Sequence, residues 1–177
     1  MIKSDYMKKL LFIIVIAAAL FYLLSGRPTA VENKEPQTTN SFRPDASNAT
    51  FTFDDEAVTL SNGRNTGTSE ETEILEKTAY GDLNADGKED AIMFLARSGG
   101  GSGVFIYAAA YVSGPINYKG SNAVFLGDRI APQNVSIKNG VATVSYLDRA
   151  PDEPLAAEPT FIVSKELIYK NGTLEEK

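Results

Sequence analysis

From about residue 49 onward, hydrophobic and polar positions alternate with the two-residue period of strands rather than the 3.6-residue period of helices. Apolar-rich runs at 49–53 and 57–60 flank Asp54-Asp55, and runs at 74–80 and 90–96 bracket an Asp-rich loop. Further strands are predicted at 122–126, 134–138, 141–146 and 161–170. Asn62-Gly63, Asn139-Gly140 and Asn171-Gly172 punctuate these runs, and Asn-Gly is the strongest short hairpin signal because both residues accept positive φ. Residues 104–112 are apolar on both faces: Val104, Ile106, Ala108 and Ala110 on one, Phe105, Tyr107, Ala109 and Tyr111 on the other. A strand of that kind belongs in the middle of a covered sheet. Residues 70–77 have a helix-compatible composition, but their apolar spacing is poor. The fold class predicted is mostly β: an antiparallel sheet or sandwich-like domain, following one N-terminal transmembrane helix.

That helix is the one exception to the strand period. Lys8 and Lys9 precede an unbroken apolar run at 10–24, which ends at Ser25-Gly26-Arg27. Fifteen residues rise about 22 Å as a helix, short of a hydrocarbon core of about 30 Å, so the segment stands between a signal peptide and an anchor. A small-residue cleavage site is poorly represented after the run, which favours an uncleaved signal anchor. Leu23-Leu24-Ser25-Gly26 resembles the start of a lipobox, but Arg27 occupies the place of the lipidated Cys. Lys3, Lys8 and Lys9 outweigh Arg27 and Lys34, so the N-terminus is expected inside and the remainder outside the cytoplasm, in the periplasm or beyond. Residues 27–48 are rich in Pro, Thr, Asn, Glu and Ser and read as a flexible linker. The organisation expected is an anchor at 1–26, a linker at 27–48 and a β domain at 49–177.

Composition then removes whole classes of chemistry. The chain has no His and no Cys, which closes Ser-His-Asp and Cys-His catalysis, the usual zinc sites and disulfides. A net charge of −6 without clustered Lys or Arg beyond the N-terminus argues against nucleic acid as a partner.

The strongest chemical signal is the run 82–90, Asp-Leu-Asn-Ala-Asp-Gly-Lys-Glu-Asp. Asp82, Asn84, Asp86 and Asp90 stand at positions 1, 3, 5 and 9 of a calcium loop, with Gly87 at the sharp turn and Lys88 offering its carbonyl. Calcium needs six to eight oxygens at about 2.4 Å, and alternate residues of a tightly wound loop can direct several at one centre. At position 12 apolar Met93 replaces the bidentate Glu of an EF-hand, so no helix-loop-helix sensor is expected. The competing reading is an ion-free turn, since Asp, Asn and Gly favour turns in any case.

This run resembles the D-x-N-x-D-G-x-x-D loops of dockerins and of integrin-type or adhesin-type β-repeat proteins, in the latter of which a strand follows the loop. The resemblance covers nine residues and implies a calcium site, not an architecture. The segments 81–91, 99–107, 122–133 and 148–154 together resemble a group of small exported bacterial proteins without assigned function.

Three lesser features remain. Gly99, Gly100, Gly101 and Gly103, with Ser102 between them, lack the helix and Lys of a phosphate loop and read as a hairpin connection. Asp128-Arg129 and Asp148-Arg149 each follow an apolar strand, so Arg129 and Arg149 form a candidate ligand rim, with local Asp–Arg pairing as the plainer reading. The connection 148–159, stiffened by Pro151, Pro154 and Pro159, is long enough to carry function. Two functions follow from these features. One is a membrane-tethered module with a structural calcium ion, binding or structural in the cell envelope, its partner an envelope protein or glycan. The other is a carboxylate-dependent hydrolase such as a glycosidase, for which Asp152 and Glu153 are poorly placed candidates.

Overall fold

The computed structural model describes residues 42–67 and 69–177. The anchor expected at 1–26 and most of the expected linker lie outside the described residues. Among those described, no helix is long and apolar enough to cross a membrane.

The described chain is all β, with antiparallel pairing throughout its ladders. A short hairpin, β1 (Thr50–Phe53) and β2 (Glu56–Thr59), comes first. A central sheet has the order β3 (Arg64–Thr66), β4 (Glu71–Gly81), β5 (Asp90–Ser98), β6 (Val104–Val112), β7 (Lys119–Gly120), and β8 (Val124–Asp128) also pairs with β6. The last sheet runs β12 (Thr173–Glu176), β11 (Phe161–Lys170), β10 (Val141–Asp148), β9 (Ala131–Lys138).

The turns explain much of this order. Asn62-Gly63, Asn139-Gly140 and Asn171-Gly172 all have positive φ at both residues, the backbone of a two-residue turn whose twist matches the strands it joins. Pro132 is tolerated because β9 is an edge strand, and it faces Tyr146 where the β9–β10 register shifts.

The core follows from β5. Its residues from Asp90 to Ala96 are all buried, so both faces of the central sheet need cover. On one face Ile92, Phe94, Ile106 and Ala108 pack with Val144, Tyr146 and Leu167 of the β9–β12 sheet. On the other, Ala91, Met93, Leu95 and Ala109 pack with Phe51, Phe53, Val58 and Leu60 around the hairpin. The result is three β layers with two cores. The two-sided apolar pattern of β6 divides between these cores as its alternation requires.

Asn122 joins the layers. The Thr52 N–H donates to the Ser121 carbonyl (3.2 Å) and the Ala123 N–H to the Thr52 carbonyl (2.7 Å), a parallel bridge that straddles Asn122. Its side-chain amide meanwhile donates to the Leu174 carbonyl (2.9 Å) and accepts from the Leu174 N–H (2.8 Å).

Several expectations need correcting. The strand expected at 74–80 is longer: residues 71–77, helix-compatible in composition but not in spacing, also belong to strand β4, with a register shift between Ile74 and Thr78. Beyond the strands expected, the segment after Asn171-Gly172 forms strand β12, with Leu174 buried and Glu176 paired to Lys165 at 2.9 Å. The strand expected at 122–126 lies at Val124–Asp128. The packed unit also starts before Ala49, because Ala46 is buried in the second core and Arg43 lies 5.0 Å over the Tyr80 ring.

Gly120 shows how closely the layers approach. A Cβ there would stand 2.1 Å from the Thr50 carbonyl oxygen, whereas one at Gly101 would meet nothing within 4 Å. Gly120→Ala is therefore expected to destabilise the fold by about 2 to 3 kcal/mol and Gly101→Ala by less than about 1 kcal/mol. Chemical unfolding of the two variants checks this, and equal midpoints would contradict the close approach of hairpin and sheet.

Candidate functional site

The loop joining β4 to β5 is wound by its own side chains. Asp82 accepts from the Asp86 N–H at 3.2 Å through Oδ1 and from the Gly87 N–H at 2.8 Å through Oδ2. Asn84 Oδ1 also accepts from the Asp86 N–H (3.1 Å), and Asp86 Oδ1 accepts from the Lys88 N–H (2.9 Å). Each bond is a side chain mimicking a turn, the property that draws Asp and Asn to such segments. Ala85 and Gly87 take positive φ (62° and 81°), which lets the chain reverse within so few residues.

Asp90 is the anchor. It is fully buried at the head of β5, where Oδ2 accepts from the Leu83 N–H (2.8 Å) and Oδ1 from the Ser113 N–H (2.7 Å). A buried carboxylate is tolerable only with such partners. Ser113, just past the end of β6, makes three further contacts. Its carbonyl and hydroxyl oxygens accept from Asn84 Nδ2 (2.8 and 3.3 Å), and its hydroxyl donates to Asp86 Oδ2 at 2.5 Å. Sequence reading gives no hint of Ser113, which lies 27 residues from Asp86 and belongs to no motif.

The loop's electrostatics are lopsided. Against Asp82, Asp86, Glu89 and Asp90, Lys88 alone among the described residues forms an ion pair, its Nζ 3.8 Å from Asp86 Oδ2 and largely in solvent. The Ser113 hydroxyl, followed by the Lys88 N–H, holds the Asp86 carboxyl below the usual carboxylate range. Tyr118 donates from its hydroxyl to the Glu89 carbonyl (2.8 Å). Its phenol is pushed up first by burial and then by the negative charges of Asp90, Asp86 and Glu89. Glu89 Oε2 is buried and has no hydrogen-bond partner among the described residues.

These residues can be tested against a calcium ion. An orphaned, buried carboxylate oxygen beside an excess of negative charge is an environment that a cation improves. The loop is wound with Asp82, Asn84 and Asp86 turned onto its own backbone, and each oxygen that accepts one N–H keeps a second lone pair. Among the described residues, however, no three acidic side chains stand together as a ready-made cage. Asp86 is exposed and Asp82 partly exposed, so both carboxylates are accessible to an ion from solvent. Asp90 is already engaged by two N–H groups.

The candidate rim is differently employed. Arg129, at φ 52°, grips its neighbour Asp128 through Nε (3.2 Å) and an Nη (3.0 Å), as local pairing predicts. Arg149 does not pair with a carboxylate side chain. Its Nε donates to the Ala157 carbonyl (2.7 Å) and its Nη atoms to the carbonyls of Asp128 and Arg129 (3.2 to 3.3 Å), tying the long connection to the β8–β9 turn. Asp152 is exposed, and Glu153 folds back to accept from the Ala150 N–H (2.7 Å). Gly99, Gly100, Gly101 and Gly103 join β5 to β6 and line a surface cavity of about 840 Å³.

Compared with known proteins, the chain matches no family model, no curated protein and no solved structure.

Asp90 supplies the sharpest test of how the loop is built. In Asp90→Asn one carboxylate oxygen becomes an NH₂ group that cannot accept from the N–H it faces, leaving a buried donor unpaired. The expected cost is about 2 to 4 kcal/mol in denaturant unfolding, present with or without calcium. A loss of only a few tenths would contradict the anchoring role.

Proposed function

We propose that this protein is a membrane-tethered extracytoplasmic β module whose 82–90 loop takes a structural calcium ion, and that it serves as a binding or structural component of the cell envelope. The observation that carries the reading is the tightly wound 82–90 loop itself, in which Asp82, Asn84 and Asp86 stand at the spacing of a calcium loop and Gly87 takes the positive φ of its sharp turn. In this reading Asp82, Asn84, Asp86 and the Lys88 carbonyl supply contacts. Asp90 fixes the loop to β6 from within. The membrane tether rests on the basic flank and apolar run at 10–24.

Without a bidentate Glu at the twelfth place, the site is of the weak extracellular type, with a dissociation constant of about 0.1 to 1 mM. At about 1 mM calcium, the tighter end of that range stabilises the fold by about 1.4 kcal/mol. For a domain of this size that is roughly 5 °C in melting temperature. Thermal unfolding of the full chain in a neutral detergent, in chelator and in calcium, checks the increment. Asp86→Ala is expected to lose it, and in chelator to melt below the wild type, because it gives up the bonds from the Ser113 hydroxyl and the Lys88 N–H that hold its carboxyl below the usual carboxylate range. Identical melting of the wild type in both buffers would leave the loop an ordinary turn.

The tether has its own check. The full chain is expected to sediment with membranes and to resist alkaline extraction. Recovery in the soluble fraction after that treatment would contradict it.

A further inference from the structure

A second site lies away from the 82–90 loop, where the β1–β2 turn meets the glycine-rich β5–β6 connection. The cavity there, of about 840 Å³, falls within the range of about 300 to 1,000 Å³ that holds small ligands. Its walls combine aromatic rings with acidic groups. Phe105 is partly exposed, and Tyr107 stands edge-on to Phe53, with ring centroids 4.9 Å apart. Among the described lining residues, Asp54, Asp55, Glu56 and Glu70 stand against one cation, Arg97, an excess of three negative charges.

Arg97 shows what this wall attracts. Its guanidinium lies 5.0 Å over the Phe53 ring and is hydrogen-bonded to both Glu56 and Glu70. It is thus held by an aromatic face and two carboxylates at once, and its side chain is only 13% exposed. Among the described residues, Asp54 and Asp55 take part in no salt bridge; both are exposed and line the cavity. The same two kinds of group line the rest of the cavity, the rings of Phe105 and Tyr107 with the carboxylates of Asp54 and Asp55, and among the described lining residues Arg97 is the one cation.

From this juxtaposition we propose that the cavity binds an alkylammonium group, a protonated primary amine carried on an aliphatic chain. The amine meets Asp54 and Asp55, and the methylenes lie against Phe105 and Tyr107. Ring faces attract cations and the aliphatic chain alike. The glycine-rich wall supplies room: Gly100 and Gly101 present no Cβ, and one added at either would meet nothing within 4 Å. Neutral sugars, which also stack on aromatic rings, gain nothing from the charge excess. The amine has two natural sources, a free polyamine or a lysine side chain of a partner polypeptide.

The test is a titration of the full chain in a polyoxyethylene detergent, at constant calcium, followed through the backbone amide resonances of residues 54, 55 and 99–103. The probes are spermidine, Nα-acetyl-lysine methylamide and, as the neutral competitor, cellotriose. Both amines are expected to shift these resonances to saturation, more weakly as salt is raised. Stronger binding of spermidine identifies the polyamine source, and comparable or stronger binding of the lysine analogue identifies the polypeptide. Asp54→Asn with Asp55→Asn keeps the turn, since Asn accepts the positive φ of 49° at residue 54, and is expected to weaken amine binding about three- to tenfold. Saturation by cellotriose alone, no saturation by either amine, or amine binding unchanged in the double variant would each overturn the proposal.

Discussion

A strand buried on both faces dictates the rest of this molecule. Seven consecutive buried residues at the start of β5 leave no side of the central sheet that water can cover. Each face needs an apolar layer, and the chain supplies one from the β1–β2 hairpin with the residues before it, and another from β9 to β12. The first of the seven is Asp90, the only charged residue among the buried described ones. Its carboxylate therefore has to be satisfied locally, and the Leu83 and Ser113 N–H groups satisfy it. The shape of the 82–90 loop follows from that requirement. Leu83 is drawn into the first core, and the polar residues after it arch outward over Ser113.

Most of the strand framework was legible because it is written in local signals. The three Asn-Gly pairs mark tight turns, and the two-faced apolar pattern of 104–112 marks a covered strand. What the sequence concealed depends on residues that are distant along the chain. β12 hides in a charged tail because only Leu174 faces inward, and one apolar residue makes no pattern. Residues 71–77 carry good helix formers, but pairing with β5 and β3 outweighs propensity. Ala46 lies in a polar stretch and is buried only because the hairpin folds over it.

The candidate site divides in the same way. Asp82, Asn84, Asp86 and Gly87 follow a local spacing, and the loop they form is visible in advance. Ser113, Tyr118 and the burial of Glu89 Oε2 are not, since they depend on the far end of β6 lying beside the loop. Arg129 pairs with its neighbour as spacing suggests. Arg149 is engaged by carbonyls that only the folded connections bring to it. The acidic cavity was equally hidden: Asp54, Glu70 and Arg97 come from three separate segments, and each alone reads as an ordinary surface charge.

In the proposed calcium reading, a loop anchored from inside by Asp90 presents its outer oxygens to the ion. The most direct measurement follows the amide resonances of Leu83, Asp86, Gly87, Lys88 and Ser113 while calcium is added to the full chain in detergent. One saturable transition is expected near about 0.1 to 1 mM, centred on Asp86, Gly87 and Lys88, with Leu83 and Ser113 little moved because their bonds to Asp90 persist. A linear, unsaturated drift that magnesium reproduces equally, or no change at these amides, would contradict it.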